Sequence, residues 1–509
     1  MEKQRSYRGH VVVVAAPGQS HINPMIQLSR RLAWKGLKIT LGVILSATQS
    51  IQTGNDSISL VSLYDDITQG GFKGPGGYKG FLDRFEDNAT RVLVELVKNL
   101  ENSEYPIKCL VYDANITWAL DIAKQLGIAS AAFAHLSLSA MATYYPLHLE
   151  LSGEQPRLPP FMDPDDLPEL GIPDLPSLGS GSGHHSPVLK LVLNPLRNFG
   201  KADWILSLSF DKLEEEVQNW MTNLCPVTTI GPTVPSAYLD KRIEDDTDYG
   251  FNLYKTNTDT CINWLNTKES RSVIYVSFGS FANAKPEQMK EMTEALKQIS
   301  KNFLWVVKET ELSNLPIDFV EETSEKGLVV TWCPQLQVLA HQAVGCFITH
   351  CGANSLFEAI SFGVPMVGVP QFTDQMPNSY FMEKVWGAGL RPKLDDKGVA
   401  SSKEIERSIR EIFHEGRGME IQKNVMKWKK FAKEAVDEGG SSDEHLNEFI
   451  AGILQQVKAT KHPLIANADA IAACNGFGSC SLLNRLFHFF STISFSFLFL
   501  WALSISVGL

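Results

Sequence analysis

Residues 332–375, WCPQLQVLAHQAVGCFITHCGANSLFEAISFGVPMVGVPQFTDQ, decide how the chain is read. Within them, residues 345–349 form an apolar run too short for a helix and rich in β-favouring residues. The run ends at His350, Cys351 and Gly352, which predicts a buried strand entering a tight turn. A helix is expected next. Asn354 or Ser355 can cap it, Leu356, Ala359 and Ile360 share one apolar face, and Gly363-Val364-Pro365 stops it before another short strand. Such a strand-turn-helix unit aims unpaired backbone N–H groups and the positive end of the helix dipole at whatever lies above the turn, with His350 and Ser355 as further donors. The guest that suits this chemistry is a phosphate. Trp332 adds a flat ring for a base, Gln335 and Glu358 offer acceptors for ribose hydroxyls, and Asp374 and Gln375, beyond the next strand, can reach sugar hydroxyls. Each residue alone fits a plain βαβ unit with a core Trp and a strand-end His. Their order over one stretch favours a nucleotide-sugar site.

Upstream, the apolar run 11–15 ends in Ala16-Pro17-Gly18-Gln19-Ser20-His21. Asn23 as cap and Pro24 as first helical residue then predict a helix through Met25, Ile26, Leu28 and Leu32, with the next strand at 37–44. This places His21 on a loop at the carboxyl end of the first strand, where open α/β sheets bind ligands, and makes it a candidate base. Residues 109–112 form another short strand ending in Asp113, and His135 follows a strand at 129–134. Residues 156–186 are rich in Pro, Gly and Ser and read as a surface loop; no strand leads into its Asp-Pro-Asp or Gly-x-Gly runs. Strands at 203–208 and 227–230 close the first half, and 231–246 reads as a solvated linker. The plan then repeats: a strand at 273–276, Ser277-Phe278-Gly279-Ser280, and a helix from Pro286. Two βα arrays in succession predict an α/β fold of two Rossmann-like domains facing across a cleft. The expected divisions are 1–240, a linker at 241–262, a second domain at 263–442, a helix at 443–458 and a tail at 459–509.

With 509 residues, 44% of them hydrophobic, the chain is long enough for two or three cored domains. A formal net charge of -11 argues against nucleic acid or an anionic membrane surface as main partner. Its 8 Cys are scattered, without the paired spacings of a zinc site or a disulfide framework, which suits a reducing cytoplasm. No signal-peptide pattern follows Met1. Residues 486–509 carry no Asp, Glu, Lys or Arg and are long enough to span a bilayer, so a C-terminal membrane tail anchor and a merely appended segment are both open.

Residues 332–375 resemble, without a gap, the signature box of the plant secondary-product UDP-glycosyltransferases, an inverting family with the two-domain GT-B fold. The likeness runs from about residue 8 to residue 458. It implies a UDP-sugar site made of Ser280, Trp332, Cys333, Gln335, His350, Gly352, Ala353, Asn354, Ser355, Glu358, Asp374 and Gln375. It also implies His21 as catalytic base, Asp113 as the residue orienting it, and a helix at 443–458 that packs back on the first domain. Ala353 departs from the pattern, since the family has a sugar-flanking Trp there, and His135 stands where a Thr near the sugar is common. The implied reaction is transfer of glucose from UDP-glucose, with inversion, to a hydroxyl or carboxyl of a small lipophilic acceptor. Neither metal nor cofactor is implied, and a cytoplasmic monomer is. A UDP-sugar-binding protein without transferase activity, to which Ala353 and the tail point, and a GT-B-like epimerase or hydrolase are the alternatives.

Overall fold

The computed structural model describes residues 6–455 apart from 49–50, 54–56, 68–70, 72–73, 156, 167–169, 171–192, 255 and 281–283. The tail at 459–509 and most of the Pro/Gly/Ser-rich loop therefore lie outside the described residues.

Among the described residues thirteen strands make two sheets, both wholly parallel. The first holds β1 (His10–Val14), β2 (Lys38–Ile44), β3 (Ile58–Tyr64), β4 (Ile107–Asp113), β5 (Ala129–Ala134), β6 (Trp204–Ser207) and β7 (Val227–Thr229), in the order β3-β2-β1-β4-β5-β6-β7. The second holds β8 (Val273–Ser277), β9 (Asn302–Val306), β10 (Gly327–Val330), β11 (Val344–Thr349), β12 (Met366–Gly368) and β13 (Gly389–Leu390), in the order β10-β9-β8-β11-β12-β13. Parallel strands are covered on both faces, so they read as unbroken apolar runs. β1 is His-Val-Val-Val-Val and β11 is Val-Gly-Cys-Phe-Ile-Thr, and every residue of both is buried.

Two helix starts differ from the expectation. The helix after β1 is Gln19–Trp34, so His21 stands in its first turn and not on a loop, and Pro24 lies inside the helix. Pro24 has no N–H to give the Ser20 carbonyl, and a proline there is tolerable only if another donor is supplied. Asn354 Nδ2 supplies it from the second sheet's side, at 2.7 Å. The helix after β11 is Ala353–Phe362, capped by Gly352, so Asn354 and Ser355 lie inside it; it ends where expected, at left-handed Gly363.

The stretch read as a solvated linker is pinned. Val234, Ser236, Leu239 and Asp246 are buried. Asp246 Oδ1 accepts from Arg30 Nη1 at 2.7 Å and Gln27 Nε2 at 3.1 Å, and Arg242 joins Asp240 at 3.0 Å to Asp443 at 2.8 Å. A run of charges looks the same in sequence whether water or a counter-charge faces it.

Helix Ser441–Gln455 returns to the first sheet. Phe449 packs edge-on to Trp204 with centroids 5.6 Å apart, and Ser442 Oγ donates to the Gly231 carbonyl at 2.6 Å. Gly452 permits the approach, because a Cβ there would stand 2.6 Å from the Trp204 ring. Among the described residues no helix is long and apolar enough to cross a membrane.

Candidate functional site

In an open parallel sheet the strand order reverses at one place, and the loops on either side leave a crevice at the carboxyl ends. The first sheet reverses between β1 and β4, and the second between β8 and β11. His21 follows β1 and Asp113 ends β4; Ser280 follows β8 and His350 follows β11. Side-chain hydrogen bonds between the described residues hold the two ends together, among them Asn354 Nδ2 to Ser20 O at 2.7 Å, Ser137 Oγ to Asn378 Oδ1 at 2.6 Å, Tyr144 Oη to Thr373 O at 2.8 Å and Tyr380 Oη to Asp166 Oδ2 at 2.5 Å.

On the first side, His21 Nδ1 lies 2.7 Å from Asp113 Oδ2, with 29% of the His side chain exposed and none of the Asp. Asp113 Oδ1 accepts from the Asn115 backbone N–H at 2.9 Å and its Nδ2 at 3.2 Å, so the carboxylate is fixed at both oxygens. Burial alone would raise the Asp113 pKa, yet His135 and His21 hold it well below the usual range. Burial likewise opposes a charged His21, but Asp113, and more distantly Asp374, lift its pKa above the ordinary value. With Nδ1 engaged, Nε2 is the nitrogen left as a base.

On the second side, the residues expected to hold a ribose form one network. Glu358 is buried; Tyr249 Oη donates to its Oε1 at 2.7 Å and Gln335 Nε2 to its Oε2 at 2.6 Å. Gln335 Nε2 also reaches Ser355 Oγ at 3.1 Å, and Tyr275 Oη donates to Gln335 Oε1 at 2.8 Å while standing 3.3 Å from Cys333 Sγ. Burial outweighs these hydrogen bonds and raises the Glu358 pKa to about 7. The Trp332 ring is half-buried, with the Tyr254 ring centred 4.8 Å away and tilted by 55°.

His350 sits where two backbones close in. A Cβ on Gly279 or Gly352 would stand 2.7 or 2.5 Å from its ring, so both positions need glycine. Burial, with some help from Lys308, lowers its pKa to about 4, against a backbone hydrogen bond at Ser277 that raises it. The ring is therefore neutral at pH 7.

The two expected sugar contacts are anchored by their own surroundings. Gln375 Oε1 accepts from the Gln371 N–H at 2.9 Å and the Phe372 N–H at 3.3 Å, so its carbonyl closes its own turn. Asp374 accepts from Thr373 Oγ1 at 2.9 Å, from Asn378 Nδ2 at 2.8 Å and from the backbone of Ala353. Ala353 is itself buried, within the apolar core. The sequence reading did not single out Tyr249, Lys308 or Asn378. Tyr249 comes from the irregular stretch and carries no periodic signal. Lys308, two residues past β9 and 7% exposed, follows the same carboxyl-end rule that picked out His21.

The family model described as UDP-glucoronosyl and UDP-glucosyl transferase matches residues 243–438. UDP-glucosyl transferase 74CD1 of Saponaria officinalis is 44% identical over 467 residues, covering 88% of this chain and 99% of the relative. Flavonol 7-O-beta-glucosyltransferase UGT74F1 of Arabidopsis thaliana is 38% identical over 457 residues, covering 89% and 99%. The crystal structure of Os79 from O. sativa in complex with UDP superposes with a TM-score of 0.77 at 32% identity, covering 87% of this chain and all of that one.

Proposed function

The chain belongs to the UDP-glucoronosyl and UDP-glucosyl transferase family, and on that premise we propose how this UDP-glycosyltransferase carries out its reaction. It transfers glucose from UDP-glucose, with inversion, to a hydroxyl or carboxyl of a small lipophilic metabolite. The observation that carries this reading is the His21–Asp113 pair at one sheet's crevice, tied to the other sheet's crevice by the Asn354, Ser137 and Tyr144 hydrogen bonds. Residues 1–240 hold the acceptor, 263–442 the donor, and 443–458 tie the two together. One chain carries every residue invoked, which fits a monomer, and the six described cysteines are free, which fits the cytoplasm.

His21 Nε2 takes the acceptor proton as the acceptor oxygen bonds to the anomeric carbon. The bond from that carbon to the β-phosphate oxygen breaks, and its electron pair leaves with UDP. Asp113 keeps the proton of the resting imidazole on Nδ1 and stabilises the imidazolium that forms. Trp332 stacks on the base beside Cys333, and Gln335 and Glu358 take the ribose. His350, Ser355, Ser280 and the N–H groups of Gly352 and Asn354 take the diphosphate, in the place a metal ion has elsewhere. Asp374 and the Gln375 amide take the sugar. The names of the flavonol glucosyltransferase and of the UDP-bound Os79 structure support an acceptor hydroxyl and a UDP donor. UDP release from UDP-glucose is the test, measured with a mixed panel of small acceptors and without any. Release that requires an acceptor supports transfer; release from donor alone points to a hydrolase, and UDP binding without release points to a silent binding protein.

Glu358 makes donor binding pH-dependent. Ribose hydroxyls donate, so they favour the carboxylate, whereas burial in the free enzyme raises its pKa from 4.5 to about 7. UDP binding is then expected to weaken up to about tenfold per pH unit below pH 7, and Glu358→Gln to flatten that slope. Calorimetric titration across that range checks it; a Kd unchanged by pH in the unaltered enzyme refutes the assignment. For folding the sign is the reverse of a salt-bridged acid: this raised group favours the fold below about pH 4.5, and that contribution is lost as pH rises through 7.

Ala353 gives its backbone N–H to Asp374 and offers no indole wall. Ala353→Trp is expected to raise kcat/KM for UDP-glucose over competing UDP-sugars by the equivalent of about 1–3 kcal/mol. Steady-state kinetics with a donor panel measures it, and unchanged discrimination means that other side chains already form the wall.

A further inference from the structure

Asp113 faces two imidazoles. Besides His21, His135 from the end of β5 brings Nε2 to 2.9 Å from the same Oδ2, a contact bent away from a straight hydrogen bond. His135 is 7% exposed and lies edge-on both to His21, centroids 4.9 Å apart, and to Phe133, at 4.7 Å. Its Nδ1 has no partner among the described residues. A lone core histidine would not need to share the one carboxylate that orients the base.

The three side chains have the composition of a metal site, but not its spacing. Ligand atoms about 2.0–2.1 Å from a tetrahedral ion stand about 3.3 Å from one another. Separations of 2.7 and 2.9 Å from one oxygen are shorter than that and fall in the hydrogen-bond range.

We propose that His135 is a positioning residue: a neutral imidazole that donates Nε2–H to Asp113, shares the carboxylate with His21 and thereby holds the basicity of His21 below what Asp113 alone would impose. The inference rests on His21 being the base only for its catalytic consequence; the coupling of the two rings stands by itself. Each N–H donated to Oδ2 stabilises the carboxylate and leaves less of its field for the other ring. A positive charge on both rings is disfavoured at this distance. The titratable groups set against the pair are Asp113 from β4 and Asp374 from the second side. Burial lowers the His135 pKa, against the pull of Asp113, while that of His21 is raised, so His21 is the ring that takes the proton.

The test reads His21 directly. Ring 15N shifts of the unaltered enzyme, assigned with His21→Ala, are followed against pH alongside His135→Leu, which removes the donor, and His135→Gln, which keeps one that cannot titrate. His21 is expected to titrate while His135 stays neutral with its proton on Nε2. In His135→Leu the His21 midpoint, and the acid limb of kcat/KM with it, is expected to rise by about 0.5–1 pH unit, with UDP affinity unchanged. In His135→Gln both are expected to stay near the wild-type values. A His21 midpoint that does not move in His135→Leu, whatever the loss in Tm, overturns the proposal, as does an equal rise in both variants. If His135→Leu does not fold, the unaltered enzyme still decides: a His135 that protonates before His21, or carries its proton on Nδ1, overturns it. A shifted His21 midpoint without a shifted kcat/KM limb would confirm the coupling while refuting His21 as base.

Discussion

His21→Ala is expected to lower kcat by about 10²- to 10⁴-fold, the range for losing a positioned general base, and to leave UDP affinity nearly unchanged. The separation follows from the architecture. His21 belongs to the first sheet's crevice, and the UDP contacts belong to the second's. The raised pKa of His21 adds a pH signature. The base acts when neutral, so kcat/KM falls as pH drops below that raised value, and in His21→Ala this acid limb disappears. Asp113→Asn should act in the same direction but less strongly: the amide still occupies the site but loses the charge that steadies the imidazolium. Carboxylate acceptors, already ionised, should be less sensitive to both. Steady-state kinetics with one alcohol and one carboxylic acid acceptor, with UDP titrations in parallel, makes the measurement. Full activity of His21→Ala with the alcohol would sink the mechanism.

Why His21 was legible while its surroundings were not comes down to which signals are local. Apolar runs such as 11–14 and 344–349 mark parallel strands because both faces are covered, and a polar residue just beyond such a run is at a carboxyl end. That logic reached His21, Asp113 and His350 from sequence. Placing His21 on a loop failed because proline is favoured at a helix's first position, and that preference was applied to Pro24. The carbonyl Pro24 leaves unpaired is met by Asn354, 330 residues later in number and invisible to any local rule. Tyr249 on Glu358 and the turn that Gln375 closes likewise depend on contacts that only the folded chain makes. His135 was noted for its position alone; that it shares Asp113 with His21 needed the packing of β5 beside β4.

His350→Ala is expected to lower kcat by about 10²- to 10³-fold, as for removal of one donor from a site where negative charge develops. Negative charge grows on the β-phosphate oxygen as its bond to the anomeric carbon breaks, so a contact there is stronger at the transition state than with intact UDP-glucose. The ring is built for such a contact. Gly279 and Gly352 let the backbone close around the Nε2 side of the ring, and burial holds its pKa near 4 against the backbone hydrogen bond at Ser277. An approaching diphosphate would stabilise the protonated ring, so the charge that departs with UDP is met by a group that is neutral in the free enzyme. The expected pattern is therefore a large fall in kcat, a small change in KM for UDP-glucose, and a weakening of UDP that exceeds the weakening of UDP-glucose. Gly352→Ala should approach the same phenotype by displacing the ring while leaving it in place chemically. Kinetics at saturating acceptor, with separate titrations of UDP and UDP-glucose, distinguish the cases. If His350→Ala raised KM and left kcat alone, the residue would be binding donor and transition state equally, and the leaving group would owe its stabilisation to the backbone N–H groups of Gly352 and Asn354 instead.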